Sequence, residues 1–230
     1  YTIAHEPLES VDLMERAAMK CYTWLKKRVD ADRPVKIFCG PGNNGGDGLA
    51  IARMMAESHH QVSVYVIRYS EKSSRDFLIN YERLTGLSSV PVFDIKDGDR
   101  LPEISEEDVV VDALFGSGLN KPAEGFAAAV IRHINASRSL IVAIDMPSGL
   151  FCDMPTDEKA GPVVRADYTL TFQAPKLAFL FAENDIRVGE WVVLDIGLHP
   201  GFTDSLEVKN FLLTREMASG LLKPRTKFAH

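Results

Sequence analysis

Apolar positions in this chain fall into two recurring patterns, a helical spacing and a short continuous run, and the two alternate from the N-terminus onward. Between residues 10 and 29, Met14, Ala17, Ala18, Cys21, Trp24 and Leu25 recur near a 3.6 period, with Ser10 or Asp12 placed to cap the helix they predict. Val35–Cys39 then predicts a short strand. It is followed by Gly40-Pro-Gly-Asn-Asn-Gly-Gly-Asp-Gly48, read as a glycine-rich loop, and by helical spacing over Leu49–Ala56. The pattern repeats with a strand at Val62–Ile67, a helix carrying Phe77, Leu78, Tyr81 and Leu84 on one face, and a short strand at Val90–Ile95. Asp108–Phe115 and Leu140–Ile144 are near-continuous apolar runs, as in strands covered on both faces. A helix from about Glu124 to Ile134 separates them, and strands at Tyr168–Phe172 and Trp191–Ile196 complete the series.

Strands alternating with helical segments imply parallel βαβ units joined by right-handed crossovers. The expected fold is α/β: a doubly wound, mostly parallel sheet with helices on both faces, Rossmann-like, in a single domain. In such sheets ligands sit outside the carboxyl ends of the strands. Three of the strongest runs end in segments rich in Gly, Asn, Asp or Ser, at 40–48, 116–122 and 145–149, so one pocket built from those segments is expected.

A length of 230 residues with 46% hydrophobic content suits one domain with a substantial core. The formal charge of -6 and the lack of a long basic run argue against a nucleic-acid partner. Cys21, Cys39 and Cys152 are odd in number and widely spaced, which fits reduced thiols better than a disulfide framework or a CxxC metal site. No stretch is apolar enough to span a bilayer and no signal peptide is evident, so a cytoplasmic protein without a membrane partner is expected. Residues 1–222 are read as the domain and 223–230 as the start of a linker to a further domain.

The segment Gly40–Gly48 lacks the Lys-Ser/Thr of a P-loop and the spacing of G-x-G-x-x-G, which demotes an ordinary nucleotide site. Its glycines still allow close backbone approach, and amides at the start of the next helix favour an anion. A tight turn alone accounts for the glycines and for Asp47, but not for the adjacent Asn43 and Asn44. Asp112 lies inside an apolar run, where a carboxylate needs a cation or several donors; a merely structural role, accepting loop amides, is the equal alternative. Asp145 ends another apolar strand before the turn formed by Pro147 and Gly149 and is a candidate for acid–base work, or for capping that turn. Ser148 offers a hydroxyl beside it. Lys176 follows a strand and either presents a cation to the pocket or lies solvated on the surface. The six histidines show no zinc-site spacing, and there is no G-x-S-x-G elbow.

Leu13-Met-Glu-Arg-Ala17, Gly40–Gly48, Val111-Asp-Ala-Leu-Phe-Gly-Ser-Gly118, Ala143-Ile-Asp-Met-Pro-Ser-Gly149 and Thr171-Phe-Gln-Ala-Pro-Lys176 occur in one order that resembles the YjeF N-terminal domain family. Members include the NAD(P)H-hydrate epimerases, isomerases of metabolite repair. The resemblance implies interconversion of the R and S forms of NADHX and NADPHX at C6 of the nicotinamide ring, and a potassium ion in the pocket. It implies Asn44, Asp112 and Ser148 as potassium ligands. As substrate contacts it implies Asn43, Asn44, Gly45, Gly46 and Asp47, the loop Gly116, Ser117, Gly118, Leu119, Asn120, Lys121 and Pro122, and Asp145. Lys176 is carried with them from its strand-end position. On chemistry as much as motif, Asp145 is assigned the acid–base role, with Asp47 as its rival. The tail from Pro224 to His230 resembles the start of an ATP- or ADP-dependent dehydratase domain, implying a fused partner that this chain does not contain. The amphipathic N-terminal helix offers a seam for a homodimer. Relatives of the fold that act as interaction modules in mRNA decapping or with an apolipoprotein supply the competing class, a binding module without turnover.

Overall fold

The computed structural model describes residues 1–87, 89–156, 161–203 and 205–221. The segment 223–230, read above as a linker, lies outside the described residues.

Seven strands form one sheet: β1 (Val35–Cys39), β2 (Val62–Ile67), β3 (Val92–Ile95), β4 (Val109–Ala113), β5 (Leu140–Ile144), β6 (Tyr168–Phe172) and β7 (Glu190–Leu194). Their order is β3-β2-β1-β4-β5-β6-β7 and every pairing is parallel. The chain direction across the sheet reverses between β1 and β4, and a crevice opens above such a switch point. After a short opening helix α1 (Thr2–His5), the helices α2 (Ser10–Lys26), α3 (Asn43–Glu57) and α4 (Arg75–Thr85) cover one face. Helix α5 (Gly125–Ala136) covers the other. The short helices α6 (Asp185–Val188), α7 (Pro200–Thr203) and α8 (Arg215–Leu221) lie toward the C-terminus. Among the described residues, no helix is long and apolar enough to cross a membrane.

Side chains of a strand alternate between faces, and β4 shows the consequence. Val109, Val111 and Ala113 join the core beneath α2, α3 and α4, while Val110 and Leu114 join the core beneath α5. Asp112 has the parity of Val110 and Leu114. The period of two therefore turns a carboxylate into the α5 side of the sheet at the end of a strand whose five residues are all buried. Each large side chain buried this way, such as Phe38 or Ile131, contributes roughly 1.5–3 kcal/mol.

Two boundaries differ from the sequence pattern for identifiable reasons. Glu9 caps α2, exchanging side-chain and backbone hydrogen bonds with Asp12, whereas the Ser10 hydroxyl donates to Asp76 Oδ2 at 2.5 Å. Helix α3 begins at Asn43, not Leu49, so most of the glycine-rich segment is helix and not loop. A Cβ on Gly45 would lie 1.7 Å from the Gly40 carbonyl oxygen, and one on Gly48 would lie 2.7 Å from Ala113 Cβ and 2.8 Å from Cys39 Sγ. These glycines let the first turns of α3 press against β1 and β4. That requirement outweighs their poor helix propensity, roughly 1 kcal/mol each relative to Ala.

Candidate active site

A pocket of about 810 Å³ opens at the carboxyl ends of the strands. Its wall includes Asn43, Asn44 and Asp47 from the start of α3, the loop 116–122 after β4, and Asp145 after β5. Sequence reasoning named all of these. It did not name Tyr69, after β2, or Phe115, after β4, which also line the pocket. Their rings lie 4.8 Å apart and the Tyr69 hydroxyl donates to the Leu114 carbonyl at 3.1 Å. Both sit just past a strand end, the one signal that could have marked them.

Gly45 and Gly46 lie outside the wall: Gly45 backs onto Gly40, and a Cβ on Gly46 would meet Met14 Sδ at 2.7 Å. Lys176 also lies outside it. Its ammonium donates to the Phe172 carbonyl at 3.1 Å and the Ala174 carbonyl at 3.3 Å, and lies 3.2 Å from Asp145 Oδ1.

Beneath the pocket, Asn44 and Ser148 meet at the backbone of Phe115, and Asp112 joins them through Ser148. The Phe115 N–H donates to Ser148 Oγ at 2.9 Å, and its carbonyl accepts from Asn44 Nδ2 at 2.9 Å. Asn44 Nδ2 also donates to the Ile144 carbonyl at 3.1 Å. Those two bonds fix the amide orientation and leave Asn44 Oδ1 buried without a partner among the described residues. Asp112 is fully buried; its Oδ1 accepts from the Ser148 hydroxyl at 2.6 Å and Leu114 N–H at 3.3 Å, and its Oδ2 from Ser148 N–H at 2.8 Å. Burial pushes its pKa up to about 6, against the pull of those three donors. Among the described residues no three His, Cys, Asp or Glu side chains converge on a metal site. The oxygens present, from an amide, a hydroxyl, a carboxylate and backbone carbonyls, are the hard ligands that suit an alkali cation better than zinc.

The two carboxyls in the wall have different surroundings. Asp145 takes a left-handed φ of +63°, a conformation in which an L residue stores strain and which tends to occur at functional sites. Its Oδ2 accepts the Ser117 N–H at 2.8 Å, and its Oδ1 faces the Lys176 ammonium. Asp47, rigidly placed on α3, is 8% exposed. Burial, and then the negative charges of Asp145 and Asp76, push its pKa well above the ordinary carboxylate value. Two nearby thiols, on Cys21 and Cys39, are fully buried and raised mainly by desolvation.

Residues 10–178 match the family described as "YjeF-related protein N-terminus". The chain is 37% identical over 202 residues to the NAD(P)H-hydrate epimerase of Lentilactobacillus buchneri, covering 87% of this chain and 90% of that one. It is 40% identical over 185 residues to the bifunctional NAD(P)H-hydrate repair enzyme Nnr of Thermofilum pendens, covering 79% of this chain and 34% of that one. The Moorella thermoacetica protein of the same name is 33% identical over 236 residues, covering 97% of this chain and 43% of that one. This chain thus spans less than half of those bifunctional relatives. The crystal structure of the yeast protein ynu0 superposes with a TM-score of 0.66 at 23% identity, over 80% of this chain and 77% of that one, and shares the fold. Together with the ordered strand-end motifs, the match across residues 10–178 establishes that the chain belongs to the YjeF-related N-terminal family.

Proposed function

We propose that this chain is an isomerase of metabolite repair that interconverts the R and S forms of NADHX and NADPHX at nicotinamide C6. The observation that carries the proposal is the pair of unlike carboxyls, Asp47 and Asp145, in the wall of one strand-end pocket. The name of the Lentilactobacillus buchneri relative supports it.

Epimerisation at a carbon bearing a hydroxyl next to the ring nitrogen needs no redox partner. The C6–O bond breaks, its electron pair leaves with oxygen, and the ring nitrogen lone pair forms an N1=C6 iminium cation at the same oxidation level. An acid must protonate the departing hydroxyl, releasing water, and the resulting base must deprotonate the water that returns to the opposite face. Asp47 suits this role, because its surroundings favour the protonated form at a pH where an ordinary aspartate is ionised. Asp145, ion-paired with Lys176, places a carboxylate beside the positive charge that develops on the ring. This exchanges the roles given above to Asp145 and to its rival, Asp47. Asn43 and the backbone of loop 116–122 are placed to hold the dinucleotide, with the first N–H groups of α3 available to its phosphates.

Asn44, Asp112 and Ser148 would hold a potassium ion: Asn44 Oδ1 is a buried acceptor with no partner among the described residues, and the donor set is all oxygen. When bound, the ion would supply positive charge that offsets Asp112 and draws an anionic or hydroxyl oxygen of the dinucleotide. A fused second repair activity, a homodimer through α2 and a cytoplasmic location belong to the same reading. The first is supported by the bifunctional relatives, and the second by the outward Met19 on α2, which is 46% exposed.

The test is to add catalytic amounts of the chain to purified R-hydrate with an S-specific dehydratase and follow recovery of the reduced cofactor. Recovery well above the dehydratase-only rate is expected for at least one of the two substrates. Background rates with both would overturn the proposal, and tight dinucleotide binding with no turnover would assign the chain to the binding-module class.

A further inference from the structure

The loop after β6 folds back on its own lysine. Gln173 adopts a left-handed φ of +63°, and its side-chain oxygen accepts the backbone N–H groups of Ile196 at 3.3 Å and Leu198 at 3.5 Å. The chain therefore turns sharply after Phe172 and brings the carbonyls of Phe172 and Ala174 round to the Lys176 ammonium, at 3.1 and 3.3 Å. Asp145 Oδ1 is the third partner of the same nitrogen, at 3.2 Å. An ammonium has three N–H donors; two go to the Phe172 and Ala174 carbonyls and its charge is paired with Asp145, on a side chain only 19% exposed and outside the pocket wall.

Asp145 is correspondingly held from two sides. The Ser117 N–H, from the loop after β4, takes Oδ2, and Lys176, from the loop after β6, takes Oδ1. Each oxygen of one carboxylate is gripped by a different connection of the sheet, while the backbone beneath it is in a conformation that a free L residue avoids.

We infer that Lys176 is a positioning residue: its ammonium, closed off by the carbonyls of Phe172 and Ala174, clamps the Asp145 carboxylate against the Ser117 N–H and does not itself bind the dinucleotide. The catalytic consequence rests on the epimerase reading, whereas the clamp stands without it. A lysine binding substrate phosphate would act on KM. A lysine fixing a carboxylate near the reacting ring acts on kcat, where a misplacement of about 1 Å costs on the order of 10²-fold.

The test compares wild type with Lys176→Ala, Lys176→Arg and Asp145→Asn, with kcat and KM measured for R/S equilibration. Lys176→Ala is expected to lose roughly 10²-fold in kcat, with KM changed by less than about threefold. Added ethylammonium, which restores a cation to the nest, should recover at least about tenfold of that loss, and should give nothing when Asp145→Asn is also present. A raised KM at unchanged kcat would overturn the inference by making Lys176 a substrate ligand. The clamp is also read without turnover, from the ¹⁵N resonance of the Lys176 ammonium, identified by its loss in Lys176→Arg. A shift of that resonance in Asp145→Asn supports the clamp even if the wild-type chain proves to have no epimerase activity, a result that would remove the function alone. A resonance indifferent to Asp145→Asn overturns the clamp whatever the activity.

Discussion

The two connections that face each other across the pocket, β1 to α3 and β4 to α5, look alike in sequence: each is an apolar strand followed by glycines and polar residues. In the fold they work in opposite ways. After β1 the chain becomes helix almost at once, and Gly45 and Gly48 lie against Gly40, Cys39 and Ala113 with no room for a Cβ. After β4 the chain forms a loop in which a Cβ on Gly118 would meet nothing within 4 Å. The first connection delivers side chains, Asn44 and Asp47, on a rigid helix pressed to the sheet. The second delivers backbone groups, the Phe115 carbonyl and the Ser117 N–H, to partners on other elements. At Gly45 and Gly48 glycine is a packing device, and at Gly118 it leaves open space in the wall.

The sharpest test of the division falls on the rigid side. Asp47→Asn keeps the shape and removes the proton, and should lower turnover by roughly 10²–10⁴-fold with little change in dinucleotide affinity. If Asp145→Asn has that effect while Asp47→Asn keeps near-normal turnover, the roles are reversed. The same substitution has a stability signature. Because the folded-state pKa of Asp47 lies above the ordinary carboxylate range, the stability linked to it is fully present below about pH 4 and is lost as pH rises through the folded value. Asp47→Asn should therefore raise Tm at pH 8, by about 2–4 °C for each ~1 kcal/mol relieved, and the gap should close toward pH 4. A constant gap across that range would show that burial is not what disfavours the charge.

Next in size is Gly48→Ala. Better helix propensity alone would stabilise the chain, but the new methyl meets Ala113 and Cys39 below 3 Å, so a net loss of roughly 1–3 kcal/mol is expected from overpacking, read by denaturant midpoint. A gain in stability would mean that the first connection is no tighter than the second.

Replacing potassium by choline tests the meeting point of the two connections. At a potassium concentration ten times its Kd, the linked stabilisation is about 1.4 kcal/mol, or roughly 3–6 °C in Tm, and Asn44→Ala should abolish the difference. A wild-type Tm indifferent to potassium would leave Asn44, Asp112 and Ser148 as a purely hydrogen-bonded strut. The smallest effect is expected in the loop after β4. Gly118→Ala has space and no left-handed backbone to strain, so it should lie within about 1 kcal/mol of wild type, on the stabilising side if anything. A larger loss would show that the loop is as constrained as α3.

Much of this arrangement was legible in the chain itself. The segments 35–39, 62–67, 109–113, 140–144 and 168–172 became strands with nearly the expected bounds, because strands covered on both faces are predominantly apolar. The polar residues that close those runs had to fall together, because parallel strands place all their carboxyl ends on one edge. Thus Asn43, Asn44, Asp47, the loop 116–122 and Asp145 share one pocket. The helical start of α3 was not legible. Glycine argues locally for a turn, and the reason for helix is the wall formed by Gly40, Ala113 and Cys39.

The order of the motifs and the parity of β4 are consequences of sequence alone, since chain order and a two-residue repeat need no distant partner. They carry the family, the parallel sheet and the turning inward of Asp112. The division of labour between Asp47 and Asp145 is decided by the tertiary structure. Both are aspartates that follow an apolar strand, and the local sequence does not say which of them is protonated. One is left buried near the charges of Asp145 and Asp76, while the other receives Lys176 and the Ser117 N–H from two separate loops. Protonation depends on desolvation and on charges within a few ångströms, and those neighbours come from α4 and from the loops after β4, β5 and β6, tens of residues away along the chain.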